Sequence, residues 1–144
     1  SGIYNNVLEL YDLEGKRIKI YFEKRGEFGQ IVRIGRFVVF LENIRAEVYD
    51  LEEARGRYLF NEDGLSDSFM VSDGGYLYVS VERYVIKGNY NTSKADSQWN
   101  GLWKISISDM EKDKWNLTKI SDLSYSKFYC IKNKLYDEKF NLIE

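Results

Sequence analysis

The chain has 144 residues, 21 of them basic and 23 acidic, which is the length of one domain whose core can fold without disulfide bonds. The net charge of -2 excludes a strong overall field towards nucleic acid or an anionic membrane. The absence of histidine excludes Ser-His-Asp and Cys-His catalytic schemes and histidine metal sites, and the single cysteine, Cys130, excludes an intrachain disulfide.

The first predicted elements are two β-hairpins. Residues 7–13 and 17–22 form the first, and residues 30–34 and 36–41 form the second around a glycine turn. Residues 37–41, FVVFL, are apolar at every position, so this strand is expected to be covered on both faces. This longest apolar run is far shorter than the roughly 20 residues that cross a bilayer, so no membrane insertion is predicted.

The hairpin pattern then repeats along the chain. Tyr11-Asp12-Leu13 superposes on Tyr49-Asp50-Leu51 with an offset of about 38 residues. Asp12, Asp50 and Asp109 lie at or near related positions, where we expect them to form turns by accepting hydrogen bonds from nearby backbone amides. Continued in this register, the pattern predicts thirteen short strands and no helix. The strands expected after the second hairpin are residues 46–51, 55–60, 68–72, 76–81, 101–107, 115–120, 127–131, 134–136 and 141–144.

Four antiparallel strands per unit of about 40 residues are typical of β-propeller blades. The chain resembles β-propeller repeats, and among them the Kelch type, in Tyr11-Asp12, in Tyr49-Asp50, and in Trp115 six residues after Asp109. The resemblance implies one all-β domain of antiparallel four-stranded repeats, and a β-sandwich is the alternative fold. The expected units are a partial blade at residues 1–29, a blade at 30–67, a blade at 68–126 with an inserted loop at 84–100, and a partial blade at 127–144.

About 3.3 repeats of this length fit the chain, whereas closed propellers typically have four to eight blades. The sequence therefore predicts that these residues belong to a longer chain or that copies of the chain associate.

The inserted loop at residues 84–100 is the leading candidate for function, because long loops in compact domains are commonly functional. Its aromatic side chains can stack on a sugar ring or anchor a protein, and its amides can hydrogen-bond hydroxyl groups. The alternative is a surface loop without a ligand. The predicted ligand-binding residues are Tyr84, Asn89, Tyr90, Asn91, Gln98 and Trp99.

The sequence thus favours a non-catalytic recognition or scaffold module that binds a protein or a glycan and needs no cofactor or metal. One alternative is part of a propeller-type hydrolase of carbohydrates, with Glu62, Asp63 and Asp67 as its carboxylate cluster. Another is a structural subunit of a larger assembly. Cys130 is expected to be a buried, unreactive thiol.

Overall fold

A computed structural model describes residues 5–11, 13–25, 30–41, 45–61, 65–88 and 91–143. The fold is all-β, with 58% strand and 5% helix, which confirms the predicted class. The described residues form thirteen strands and one helix. They are β1 (Asn5–Tyr11), β2 (Arg17–Arg25), β3 (Gln30–Ile34), β4 (Phe37–Leu41), β5 (Arg45–Asp50), β6 (Arg55–Asn61), β7 (Leu65–Ser72), β8 (Tyr76–Lys87), β9 (Asn91–Lys94), β10 (Gly101–Ser106), α1 (Ile107–Glu111), β11 (Thr118–Ser121), β12 (Phe128–Ile131) and β13 (Lys134–Asp137).

The strands pair antiparallel in four groups. β1 and β2 form the N-terminal hairpin, β3-β4-β5-β6 form sheet 1, β7-β8-β10-β11 form sheet 2, and β12 and β13 form the C-terminal hairpin. Each large sheet is a meander of four strands, and β9 adds to the end of β8 in sheet 2. β7 already begins at Leu65, before the predicted boundary at residue 67. Within the described residues, the strands do not close into a barrel or a propeller.

Residues 84–100, which were expected to be an inserted loop, contain a further β-hairpin formed by the end of β8 and by β9. β8 continues to Lys87, and β9 returns along it with Tyr84 opposite Lys94. Gly88 has a φ of 58°, a left-handed conformation that glycine adopts without strain, so the chain can reverse here. Residues with high β propensity, such as Val85, continue the strand pattern of β8 into the insertion. This explains why the insertion extends the sheet.

The helix α1 was not predicted. Its first residue, Ile107, fits the strand pattern of residues 101–107, and its other residues lie between that predicted strand and the next. Ser106 caps the helix, and its hydroxyl accepts a hydrogen bond from the backbone N–H of Asp109 at 3.0 Å. Asp109 therefore lies in the first turn of a helix. Asp50, by contrast, confirms the predicted turn chemistry, because its carboxylate accepts from the backbone N–H groups of Glu52 and Glu53. At five residues α1 cannot cross a bilayer, and the described residues contain no other helix that could.

Both faces of β4 are buried. Phe37, Val39 and Leu41 enter a core cluster shared with sheet 2, while Val38 and Phe40 point to the opposite face and are also buried. The prediction that residues 37–41 are covered on both faces is confirmed. Burying each side chain of this size contributes roughly 1.5–3 kcal/mol.

Sheet 2 lies between sheet 1 and the C-terminal hairpin. From β8, Val79 and Val81 point towards sheet 1, whereas Tyr78 packs with Phe128 and Leu135 of the C-terminal hairpin in a second core cluster. Ser80 is buried on that second face, where its hydroxyl accepts the backbone N–H of Tyr125 at 2.6 Å. Sheet 1, sheet 2 and the C-terminal hairpin are therefore three units stacked face to face.

The first strands of the three units also lie side by side, with β7 next to β3 and next to β12. The side-chain amide of Gln30 in β3 joins two of them. Its Oε1 accepts the backbone N–H of Met70 at 2.8 Å, and its Nε2 donates to the Met70 carbonyl at 3.3 Å. The Gln30 side chain thus hydrogen-bonds to the edge of β7 that faces away from β8.

We predict that Gln30→Ala lowers the free energy of unfolding by about 1–3 kcal/mol, because both backbone groups of Met70 lose their partner at a part-buried site. Urea denaturation measures the change. Gln98→Ala is the matched control, since Gln98 is exposed, and its effect should stay within about 0.5 kcal/mol. Equal effects of the two substitutions would contradict the role given to Gln30.

Candidate ligand-binding site

A pocket of about 230 Å³ opens on the side of sheet 2 that faces sheet 1. All three tryptophans of the protein line it. We call it the tryptophan pocket, and its lining residues are Gln98, Trp99, Trp103, Trp115, Asn116 and Leu117.

Two of the tryptophans are fixed by each other and by the returning end of the insertion. Trp103 lies on β10 and shares a face with Ile105, which points into the core cluster between the sheets. Its indole N–H donates to the Trp99 carbonyl at 2.9 Å, and the two rings lie 5.4 Å apart. Trp99 also packs on Phe60 of sheet 1, with 6.1 Å between ring centroids. Trp99 therefore connects the pocket wall to sheet 1.

The third tryptophan follows α1 and packs on sheet 1. Trp115 meets Phe37 edge to face at 5.6 Å, and the Arg57 guanidinium lies 4.4 Å from the centre of its ring. The Trp115 indole N–H donates to Asp113 at 2.6 Å. This hydrogen bond, together with the nearby Arg57 and Arg55, lowers the pKa of the Asp113 carboxyl. Asp113 is thus held as an anion beside the pocket.

The cations next to the pocket already have carboxylate partners. Arg57 pairs with Asp113 at 2.8 Å, and Lys119, whose ammonium lies 5.3 Å from the Trp103 ring, pairs with Asp122 at 2.9 Å. The lining itself contains aromatic rings, one leucine and two amides, without a charged group. The site therefore offers flat apolar faces and neutral hydrogen-bonding groups.

The structure brings together only part of the predicted ligand-binding set. Gln98 and Trp99 line the pocket. Tyr84 does not, because it lies on β8 between β7 and β9 and its hydroxyl donates to Glu82 at 2.7 Å. Asn91 begins β9, but its side chain is not among those described, and Asn89 and Tyr90 lie outside the described residues.

Trp103, Trp115, Asn116 and Leu117 were missed by the sequence analysis. The strand pattern accounts for Trp103, and the resemblance to Kelch-like repeats accounts for Trp115, so neither pattern points to a pocket. The available signal was the concentration of every tryptophan of the chain within residues 99–115.

The alternative carboxylate cluster cannot be placed in the same way. Glu62 and Asp63 lie outside the described residues, and Asp67 lies on β7 with its side chain outside those described. Within the part of the chain that is described, no group of three or more Asp, Glu, Cys or His side chains could hold a metal ion.

A second, larger cleft of about 460 Å³ lies between sheet 2 and the C-terminal hairpin, beside the core cluster that joins them. We call it the Asp73 cleft, and it is lined by Asp73, Gly75, Tyr76, Tyr78, Lys104, Asn133 and Leu135. Asp73 accepts hydrogen bonds from the backbone N–H groups of Gly75 and Tyr76 and from the Tyr78 hydroxyl. The carboxylate is therefore occupied by the turn between β7 and β8.

Two groups beside this carboxylate hold their protons more tightly than usual. Burial and the Asp73 charge raise the pKa of Tyr78 to about 12, and the same two causes raise the pKa of Cys130. Cys130 is partly buried, rather than fully buried as the sequence analysis expected. The raised pKa disfavours the reactive thiolate form.

Comparisons of this chain with models of protein families, with curated proteins and with solved structures gave no match.

We predict that the protein loses stability between about pH 10 and pH 12 because of Tyr78. An unfolded tyrosine releases its proton near pH 10, whereas folded Tyr78 keeps it up to a pKa of about 12. Its contribution is fully present below pH 10 and is lost as the pH rises through 12, by on the order of 1–2 kcal/mol.

Urea unfolding at about pH 9 and about pH 11.5 measures this loss. Tyr78→Phe should remove it, while Tyr58→Phe, at an exposed position, should leave it as in the wild-type protein. The same alkaline loss in the Tyr78→Phe protein would refute the assignment.

Proposed function

We propose that the chain is a non-catalytic recognition module that binds an uncharged sugar ring of a glycan in the tryptophan pocket. The observation that carries this proposal is the lining of the pocket, in which three indole rings converge with the amides of Gln98 and Asn116. The proposal retains the function class predicted from the sequence, keeps Gln98 and Trp99 from the predicted set, and adds Trp103, Trp115, Asn116 and Leu117.

The chemistry of the lining suits a sugar. The apolar face of a pyranose ring stacks on an aromatic face, and its hydroxyl groups need donors and acceptors that amides supply. The volume of about 230 Å³ is below the roughly 300–1,000 Å³ of pockets for drug-sized ligands, so it suits a single ring. The rest of the glycan then extends out of the pocket.

The charges around the pocket support an uncharged ligand. Arg57 lies over the Trp115 ring and Lys119 over the Trp103 ring, and both are already paired with carboxylates. An anionic sugar would have to compete with Asp113 and Asp122 for these partners. A neutral sugar requires no such exchange.

We also propose that the sheets are propeller-type blades. Supporting this, the described units stack three deep, face to face, and the first strands β3, β7 and β12 lie side by side, as inner strands of neighbouring blades do. A two-layered sandwich does not account for a third layer.

We expect a neutral oligosaccharide from a glycan panel to change the tryptophan fluorescence saturably, because every tryptophan of the protein lines the pocket. Gln98→Ala and Asn116→Ala should each weaken binding about 3- to 10-fold, which corresponds to the loss of one hydrogen bond of roughly 0.7–1.4 kcal/mol.

The control variant is Asn133→Gly. It removes an amide from the Asp73 cleft, and glycine fits the φ of 64° at this position, so affinity should not change. The proposal would be contradicted if Asn133→Gly weakened binding as much as Asn116→Ala does. It would also be contradicted if no neutral glycan of the panel changed the fluorescence.

A further inference from the structure

The Asp73 cleft is lined by two opposite charges that do not pair with each other. Lys104 lies directly opposite Tyr78 in the register of β8 and β10, so its side chain points to the face of sheet 2 that carries the cleft. Its ammonium lies 5.6 Å from the centre of the Tyr76 ring. Among the described residues, neither Lys104 nor Asp73 has an ion-pair partner. One cation and one anion therefore line the same cleft without neutralising each other.

The two carboxylate oxygens of Asp73 have different partners. Oδ1 accepts hydrogen bonds from the backbone N–H groups of Gly75 and Tyr76 at 2.8 and 2.7 Å, so the turn between β7 and β8 uses this oxygen. Oδ2 accepts the Tyr78 hydroxyl at 3.3 Å and the Cys130 thiol at 4.0 Å. Both contacts are long, so Oδ2 retains the capacity to accept a strong hydrogen bond from a ligand.

The floor of the cleft is apolar. Tyr78 and Leu135 are buried, and both belong to the core cluster between sheet 2 and the C-terminal hairpin. Tyr76 stacks on Tyr78 with 6.0 Å between ring centroids and is 41% exposed, so it forms an open aromatic wall. The cleft thus combines two opposite charges with an apolar surface.

We propose that the Asp73 cleft binds a free amino acid with an apolar side chain. In this arrangement the α-ammonium group of the ligand donates to Oδ2 of Asp73, and its α-carboxylate accepts from the Lys104 ammonium. Hydrogen bonds between charged groups are stronger than those between neutral groups. The side chain of the ligand lies against Leu135 and Tyr76.

The charges of the cleft favour a zwitterion over a ligand with a single charge. An anion that binds Lys104 is repelled by Asp73, and a cation that binds Asp73 is repelled by Lys104. An amino acid matches both charges at once. The volume of about 460 Å³ lies within the roughly 300–1,000 Å³ of pockets for small molecules, so the cleft has room for such a ligand.

The proposed site is separate from the tryptophan pocket. Lys104 and Trp103 are successive residues of β10, so their side chains point to opposite faces of sheet 2. The cations beside the tryptophan pocket, Arg57 and Lys119, have carboxylate partners, whereas Lys104 has none in the described part of the chain. The inference therefore does not depend on glycan binding.

Titration of the whole chain with L-phenylalanine, followed by two-dimensional NMR of its N–H groups, tests the proposal. The backbone amide signals of Gly75 and Asn133 should move saturably, because both residues line the cleft. The indole N–H signals from the tryptophan pocket should not move. Phenethylamine lacks the carboxylate and phenylpropanoate lacks the ammonium group, so each should bind at least about tenfold more weakly than L-phenylalanine.

Two substitutions remove the charges of the cleft one at a time. Lys104→Met keeps an unbranched side chain, and Asp73→Asn keeps the Oδ1 acceptor that the turn between β7 and β8 uses. Each should weaken the binding of L-phenylalanine at least about tenfold, because a hydrogen bond between charged groups is lost. Lys114→Met is the matched control, since Lys114 is exposed and lies outside the cleft, and it should leave the affinity unchanged.

The amide spectrum of each variant verifies that it is folded. The proposal would be overturned if L-phenylalanine left the Gly75 and Asn133 signals in place, or if either analogue bound as tightly as L-phenylalanine. Equal effects of Lys104→Met and Lys114→Met on the affinity would overturn it as well.

Discussion

The structure depends on the burial of both faces of its central strands. In β4 and in β8 successive side chains are buried whichever way they point, so a sheet built around either strand must lie between two neighbours. Sheet 2 meets this requirement with sheet 1 on one face and the C-terminal hairpin on the other. Stacking face to face is therefore a consequence of the sequence of the central strands, and Gln30 adds a directional link between β3 and β7.

Stacked sheets leave crevices between them, and the tryptophan pocket and the Asp73 cleft are such crevices. The segment from α1 to Leu117 fills the space between sheets 1 and 2, with Met110 buried and Trp115 packed on Phe37. The returning end of the insertion supplies Trp99 to the same space. The tryptophan pocket is thus formed where these two connecting segments meet Trp103 of β10.

The sequence was sufficient to predict the elements whose cause is local. The strand patterns predicted every strand except β9, although the strand expected at residues 141–144 is only an isolated bridge at Leu142, and the apolar run in β4 predicted burial on both faces. The helix α1 was missed because its main signal is the single cap Ser106 after a strand pattern, and the hairpin in the insertion was missed because length alone suggested a loop. Four of the six residues that line the pocket were not predicted either, since residues 98–99 and 115–117 meet only after the sheets have stacked.

Amide hydrogen exchange measured by NMR tests the central claim, the stacking of sheets on both faces of β8, most directly. The account predicts that the amides of Val79 and Val81 exchange only through global unfolding, because neither face of their strand is open to water. The amides of the edge strand β11, where Thr118 and Lys119 are exposed, should exchange through smaller local openings. Exchange in β8 that is as fast as exchange in β11 would contradict the stacked arrangement.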